Sequence, residues 1–384
     1  MYLTVKYNSS GYKVKRNIIY SDDIDGTVFK RSYDLLNLPN HLYYLLFGTN
    51  QFLANSHYPL FNSKNSVWHL FNSISFGNSA WVTTFETMLP RWGFEYKPLL
   101  IKGFKLMAGK ACKRLIAMSN CSYNIQKLYM QAVMPELWEP IKHKLTVLYP
   151  PQDVIINDYS KKNLKNDKLV FTIVGADFFR KGGKEILFVF DHLLQDNAPV
   201  FLNIISSLQY GDYATKSSKQ DWELAKGIID KHQSIVHYEN LPNDEVLKIL
   251  RKTHVGLLPT YADTYGFFVL EAQAAGCPVI TTNIRALTEI NDNQCGWIID
   301  IPKYNSESND YREFGRAHYR TKSGRKIIHR TIIEQLYSII CEILNSPNVI
   351  ENKGIKSINR IRKFHNPQIN SKKLYEIYQS AIAN

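Results

Sequence analysis

Short unbroken apolar runs set apart by polar loops dominate the second half of the chain. Val255–Leu258 and Val279–Thr282 each predict a buried strand, because a strand covered on both faces loses the polar alternation of a half-exposed one, and Lys168–Val174 and Ile235–Tyr238 read as further strands that end in loops. Glu185–Leu194 has helical spacing. A further helix is predicted over Phe267–Ala275, with Gly276 where a left-handed cap is easiest and Pro278 barring continuation. In the first half the pattern predicts strands over Tyr43–Phe47, Val67–Phe71, Trp81–Phe85, Leu115–Met118 and Leu145–Leu148, and helices over Pro98–Cys112 and Tyr123–Val133. Polar Pro150–Asp167 reads as a linker, and Asn366–Ala383 as a final helix. The expectation is an α/β fold in two halves, residues 1–155 and 156–365, followed by a C-terminal helix over 366–384.

The passage from Pro259 to Asn283 concentrates the chemistry. It reads strand, loop, helix, strand, with Asp263 in the loop and Glu271 a turn into the helix. In a parallel sheet such a loop opens at the carboxyl end of its strand. The free N–H groups of Gly266, Phe267 and Phe268 then favour an anion such as a diphosphate. Glu271 stands in an almost wholly apolar run, and a buried carboxylate needs a partner, which sugar hydroxyls supply. Taken singly, Asp263 also fits a turn or N-cap residue and Glu271 a partly exposed helix residue.

A second strand, Lys168–Val174, feeds Gly175, Ala176, Asp177, Phe178, Phe179, Arg180, Lys181, Gly182 and Gly183. Arg180 and Lys181 are placed to neutralise a diphosphate, with the glycines allowing close backbone approach. An adjacent Arg-Lys pair is also ordinary in a solvated loop. Asp23-Ile24-Asp25 has the form of a metal-holding Asp-x-Asp, but Gly26 beside it favours a turn.

The pattern Asp263, seven residues, Glu271-Ala272, then Gly276-Cys277-Pro278-Val279 resembles the signature of the retaining GT-B glycosyltransferases of glycosyltransferase family 4. The first acid of that signature is normally Glu. The resemblance implies two Rossmann-like domains facing across a cleft, with the C-terminal helix crossing back to the first. It also implies that Glu271 holds the nucleotide ribose and Asp263 faces the donor sugar. Gly175, Arg180, Lys181, Gly266, Phe267 and Phe268 would meet sugar and phosphate, and the nucleotide base would rest near Leu241, with His237 and Tyr238 as weaker neighbours. Asp263, Glu271, Arg180 and Lys181 are the implied catalytic set, with no metal and no cofactor required. The implied reaction is transfer of a sugar, with retention, from a nucleotide diphosphate sugar to a glycan or lipid-linked glycan, in cell-surface polysaccharide synthesis. The alternative is a non-catalytic nucleotide-sugar or membrane-surface binding protein of the same fold. A Rossmann dehydrogenase is disfavoured, because neither loop carries Gly-x-Gly-x-x-Gly.

Composition bounds this reading. At 384 residues and 45% hydrophobic the chain is long enough for two cores. Its five cysteines lack metal-ligand spacing, which suits free thiols in a reducing compartment. The first twenty residues hold no apolar leader core, and no run approaches a membrane span. A cytoplasmic protein is expected, peripheral on the inner face of the cell membrane if its basic surface meets lipid. Of the net charge of +13, seven basic residues fall between Arg91 and Arg114, interleaved with apolar ones. That stretch suits an anionic membrane surface, or a core-packing helix with a wet basic face. Nothing resembles a nucleic-acid recognition motif, so nucleic acid is not an expected partner. For the acceptor face, His69, Asn72, Glu86 and Arg91 follow or end apolar strands where a crevice opens. His69 equally suits a satisfied core histidine, and Arg91 a surface ion pair.

Overall fold

Each half of the chain builds its own six-stranded parallel sheet. The computed structural model describes residues 2–7, 26–48, 55–59, 65–92, 97–162, 164, 167–304 and 310–383. Asp23 and Asp25 lie outside the described residues. The chain divides into one unit of residues 1–151, 309–312 and 365–384 and a second of residues 152–308 and 313–364.

In the first unit the strands are β1 (Leu3–Tyr7), β2 (Thr27–Arg31), β3 (Ser66–Phe71), β4 (Trp81–Phe85), β5 (Cys112–Ala117) and β6 (Leu145–Val147), in the order β2-β1-β3-β4-β5-β6. Every residue of β4 is buried, as its continuous apolar and threonine content requires of a central parallel strand. Tyr43–Phe47 is not a strand. It ends the helix α1 (Asn37–Phe47), which closes on Gly48 in the left-handed region at φ 65°. Helix α2 (Lys97–Ala108) buries Leu100, Gly103, Phe104 and Met107, the i, i+3, i+4, i+7 set of one face, and leaves Lys97, Lys102 and Lys105 exposed. Helix α3 (Asn120–Val133) starts on Ser119, whose side chain accepts from the Ser122 N–H. The C-terminal helix Pro367–Ala383 belongs to this unit: Leu374, Tyr378 and Ala381 join Val5, Val67, Val82 and Ile116 in one core.

The second unit carries β7 (Leu169–Val174), β8 (Val200–Ile205), β9 (Ile235–Tyr238), β10 (Val255–Leu258), β11 (Val279–Thr282) and β12 (Trp297–Ile299), in the order β9-β8-β7-β10-β11-β12. Its helices of eight residues or more are α4 (Gly183–Gln195), α5 (Lys219–Lys231), α6 (Asn243–Leu250), α7 (Phe267–Ala274), α8 (Lys322–Asn345) and α9 (Asn348–Phe364). From β7 the chain runs outward to β8 and β9, then returns to lay β10 on the other side of β7. The strand order therefore reverses between β7 and β10, and at such a switch point the loops leaving two adjacent strands diverge to open a crevice.

Helix α7 buries seven of its eight residues, an arrangement possible because α9 covers its outer side. Gly354 of α9 approaches so closely that a Cβ there would meet the Gly276 carbonyl at 2.7 Å. Full burial of Val269 and Leu270 contributes about 1.5–3 kcal/mol each. The passage expected as a linker is partly docked: the Ile155 N–H donates to the Ala274 carbonyl. Lys162 donates to the Leu250 and Ala275 carbonyls at 3.2 and 2.8 Å, closing the ends of α6 and α7.

Candidate functional site

The loops that leave β7 and β10 interlock at the switch point. Gly182 takes φ 82°, and a Cβ on it would lie 2.2 Å from the Pro259 carbonyl oxygen, so the two backbones touch only because residue 182 has no side chain. The Tyr261 N–H donates to the Arg180 carbonyl at 2.9 Å, and the Thr260 hydroxyl to the same oxygen at 3.0 Å. Gly175, at φ 145°, lets the stem of Lys181 lie against its backbone, where a Cβ would come within 2.2 Å of the Lys181 Cε.

This framework brings the expected cations and acid together. Lys181 Nζ lies 3.4 Å and Arg180 Nη1 3.9 Å from Asp263 Oδ2. Arg180 is further fixed by Asp177, at 2.6 Å from its Nε, and by the Ala262 carbonyl, to which its Nη1 donates. The side chains of Arg180, Lys181 and Asp263 keep 19%, 14% and 14% of their exposure, enough to meet a ligand yet largely shielded from bulk water. Beyond Asp263, Gly266 at φ 92° turns the chain into α7. A Cβ there would lie 2.5 Å from Leu287. No side chain caps this helix start, so the N–H groups of its first turn retain their capacity to bind an anion.

Glu271 is 5% exposed, and Asn243, first residue of α6, donates to its Oε1 at 3.1 Å. Leu241 precedes that helix by two positions. Asn243 is a candidate that the sequence reading missed: after Pro242 an asparagine at a helix start reads as a boundary signal, and only the fold brings it to Glu271. His237 is held by the Ser206 carbonyl at 2.7 Å, and Tyr238 is half-buried at the end of β9.

In the first unit the acceptor candidates separate. Asn72, just past β3 at φ 53°, exchanges hydrogen bonds with Glu86, just past β4: its side-chain amide donates to Glu86 Oε2 at 3.1 Å and its Oδ1 accepts the Glu86 N–H at 3.0 Å. Arg91 lies 3.2 Å from the same carboxylate. These three form one chain at the carboxyl edge of the sheet. His69 stands apart from them. It has no exposed surface, its ring nitrogens lie 2.6 Å from the Tyr378 hydroxyl and 2.8 Å from the Thr84 hydroxyl, and burial pushes its imidazole down to about 3. In this structure it is a neutral core histidine tying the C-terminal helix to the sheet.

All five cysteines are free, four of them buried. Among the described residues no group of three or more His, Cys, Asp or Glu is placed to hold a metal, and no helix is long and apolar enough to cross a membrane.

Residues 155–312 match the family of glycosyl transferases group 1. D-inositol 3-phosphate glycosyltransferase from Paenarthrobacter aurescens is 31% identical over 87 residues, 22% of this chain and 21% of that protein. The match thus spans about a fifth of that curated relative. A glycosyltransferase from Rickettsia africae superposes with a TM-score of 0.57 at 11% identity, covering 100% of this chain and 99% of its own. HepE from Anabaena, solved in complex with UDP, gives a TM-score of 0.57 at 11% identity over 99% of this chain and 100% of its own. Residues 155–312 are thus similar to the glycosyl transferases group 1 family, and the two Rossmann-like units have the fold of the GT-B glycosyltransferases.

Proposed function

We propose that this chain is a glycosyltransferase that moves a hexose-like unit from a nucleotide diphosphate sugar to a glycan or lipid-linked glycan, with retention at the anomeric carbon. The observation that carries the reading is the convergence of Lys181 and Arg180 on Asp263 at the reversal between β7 and β10, beside a helix start without a side-chain cap and a buried Glu271. Lys181, Arg180 and the first-turn amides of α7 neutralise the diphosphate. Glu271, steadied by Asn243, accepts from ribose hydroxyls, and Asp263 faces the sugar. Gly175 lines the phosphate loop, and the base rests near Leu241.

In the transfer step the bond from the anomeric carbon to the diphosphate oxygen breaks and its electron pair leaves with the diphosphate. The acceptor hydroxyl oxygen bonds to the same face of that carbon, and its proton passes to the departing phosphate. The protein's contribution is fixed positive charge where negative charge develops, and this stabilises the oxocarbenium-like transition state without a protein nucleophile or a metal. Asn72, Glu86 and Arg91 are the groups proposed for acceptor orientation. The exposed lysines of α2 are proposed to approach an anionic membrane surface from the cytoplasmic side, as suits a role in cell-surface polysaccharide synthesis.

The test is turnover with labelled UDP-, GDP- and ADP-sugars, with proton NMR of the product. Sugar transfer or slow donor hydrolysis, with the donor's anomeric configuration kept, supports the proposal. Donor binding without any turnover would instead favour a nucleotide-sugar binding protein of the same fold.

A further inference from the structure

A cavity lies within the second unit, lined by Phe179, Lys184, Glu185, Tyr261, Lys322 and His329 among others, with a volume of about 220 Å³. None of Arg180, Lys181, Asp263 or Glu271 lines it. It opens where the first turns of α4, α5 and α8 come together, three helices of 13, 13 and 24 residues, and helix amino ends favour negative charge.

Glu185 sets its character. The residue is 2% exposed; its Oε1 accepts from the Tyr261 hydroxyl at 2.7 Å and lies 2.5 Å from His329 Nδ1, while its Oε2 is buried with no hydrogen-bond partner. A buried carboxylate oxygen left unsatisfied costs about 1–3 kcal/mol or more, and a ligand that donates a hydrogen bond removes that cost. Burial and the Glu185 carboxylate also push the Tyr261 phenol well above its ordinary pKa. Tyr261 thus stays a donor, and Oε2 remains the acceptor to be filled.

Around this acceptor stands an excess of positive charge. Lys322, Arg325, Lys326 and His329 occupy one face of α8 at i, i+3, i+4 and i+7, and all line the cavity. Lys184 is paired with Asp221, and Arg325 donates to the Tyr319 and Arg320 carbonyls. Lys322 and Lys326 are exposed residues. Lys184, Lys322, Arg325 and Lys326 face two carboxylates, Glu185 and Asp221, an imbalance that a phosphate monoester of about −1.5 to −2 charge offsets.

We infer that this cavity binds a phosphorylated sugar, its phosphate on Lys322, Arg325 and Lys326 and a hydroxyl donating to Glu185 Oε2. The volume lies below the roughly 300–1,000 Å³ of pockets for drug-sized ligands, so a single sugar unit suits it and a nucleotide sugar does not. The site adjoins the loop after β10 through Tyr261, and it does not depend on the donor assignment.

The test is a thermal-shift and calorimetric comparison of the full chain with glucose 6-phosphate, glucose 1-phosphate, glucose and inorganic phosphate. At about 10 mM at least one hexose phosphate raises Tm by about 2 °C or more, while glucose and inorganic phosphate do not. The doubly substituted Lys322→Ala, Lys326→Ala protein, altered only at exposed side chains, weakens that binding about tenfold or more. Lys181→Ala leaves it unchanged, which separates this cavity from the diphosphate loops. Glu185→Gln weakens the hexose phosphate as well. The inference is overturned if neither hexose phosphate stabilises the parent, if inorganic phosphate binds as tightly, or if the double variant binds as the parent does.

Discussion

Lys181 Nζ lies 3.4 Å from Asp263 Oδ2, so an ion pair joins the loops leaving β7 and β10 across the reversal of strand order. With each side chain 14% exposed, the pair is shielded enough to hold its geometry and open enough to be exchanged. On the proposed reading, an arriving diphosphate would offer Lys181 a stronger acceptor and free Asp263 for the sugar.

Lys181→Ala therefore removes one charge-assisted hydrogen bond, about 1.5–3 kcal/mol, and raises the Kd for the nucleoside diphosphate roughly 10- to 100-fold. Titration calorimetry reads this directly. A Kd unchanged in the variant would place the diphosphate elsewhere.

Gly182→Ala tests the interlocking of the loops. A methyl group there meets the Pro259 carbonyl oxygen at 2.2 Å from a residue held at φ 82°, combining a backbone clash with a left-handed conformation worth about 1–2 kcal/mol against non-glycine residues. The expected loss is about 2–4 kcal/mol of stability by denaturant titration, with weaker donor binding. Gly227→Ala, where a Cβ meets nothing within 4 Å, serves as the control and is expected to be neutral or slightly stabilising.

His69 predicts an acid-sensitive first unit. Its folded pKa is depressed by burial to about 3, against about 6.5 in an unfolded chain. The unfolded state binds the extra proton throughout that interval. The stability associated with neutral His69 is thus fully present above about pH 6.5 and is lost progressively as pH falls toward about 3. Denaturant titrations at several pH values in this window check it: His69→Gln shows a shallower fall than the parent. Equal slopes would mean that His69 is not the titrating group.

Tyr378→Phe isolates the tie between the C-terminal helix and β3. Losing the hydroxyl leaves a His69 ring nitrogen without its 2.6 Å partner, at a cost of about 1–3 kcal/mol, read as a lower denaturant midpoint with unchanged donor affinity. A parent-like midpoint would contradict the role given to this contact.

The second unit was the more legible of the two, for physical reasons. Its central strands are buried on both faces and appear as bare apolar runs, so Val255–Leu258 and Val279–Thr282 are readable to the residue, and the edge strand Ile235–Tyr238, with only Ile235 buried, is legible from its β-branched and aromatic content. Glu271 stood out because a carboxylate in an apolar helix needs a reason. In the first unit β1 and β2 lie outside the predicted strands: Leu3–Tyr7 alternates apolar and polar residues over only five positions, and Thr27–Arg31 is a largely exposed edge strand that ends on two cations. The run Tyr43–Phe47 reads as a strand on composition, yet it is the last turn and a half of α1, with Leu45 and Leu46 65% and 75% exposed. An exposed apolar helix leaves no amphipathic signature. Glu185 carried no signal, because its burial arises from α8 and Tyr261, both distant in sequence.

The central claim, that the switch-point loops and Glu271 hold a nucleotide diphosphate sugar, is tested most directly by titrating UDP-, GDP- and ADP-sugars into the parent chain and into Glu271→Gln. The account predicts that at least one donor binds the parent and that Glu271→Gln weakens it about tenfold or more, the order of one charge-assisted hydrogen bond, while the variant stays folded. A parent that binds no donor, or a Glu271→Gln protein that binds it equally well, would contradict the account.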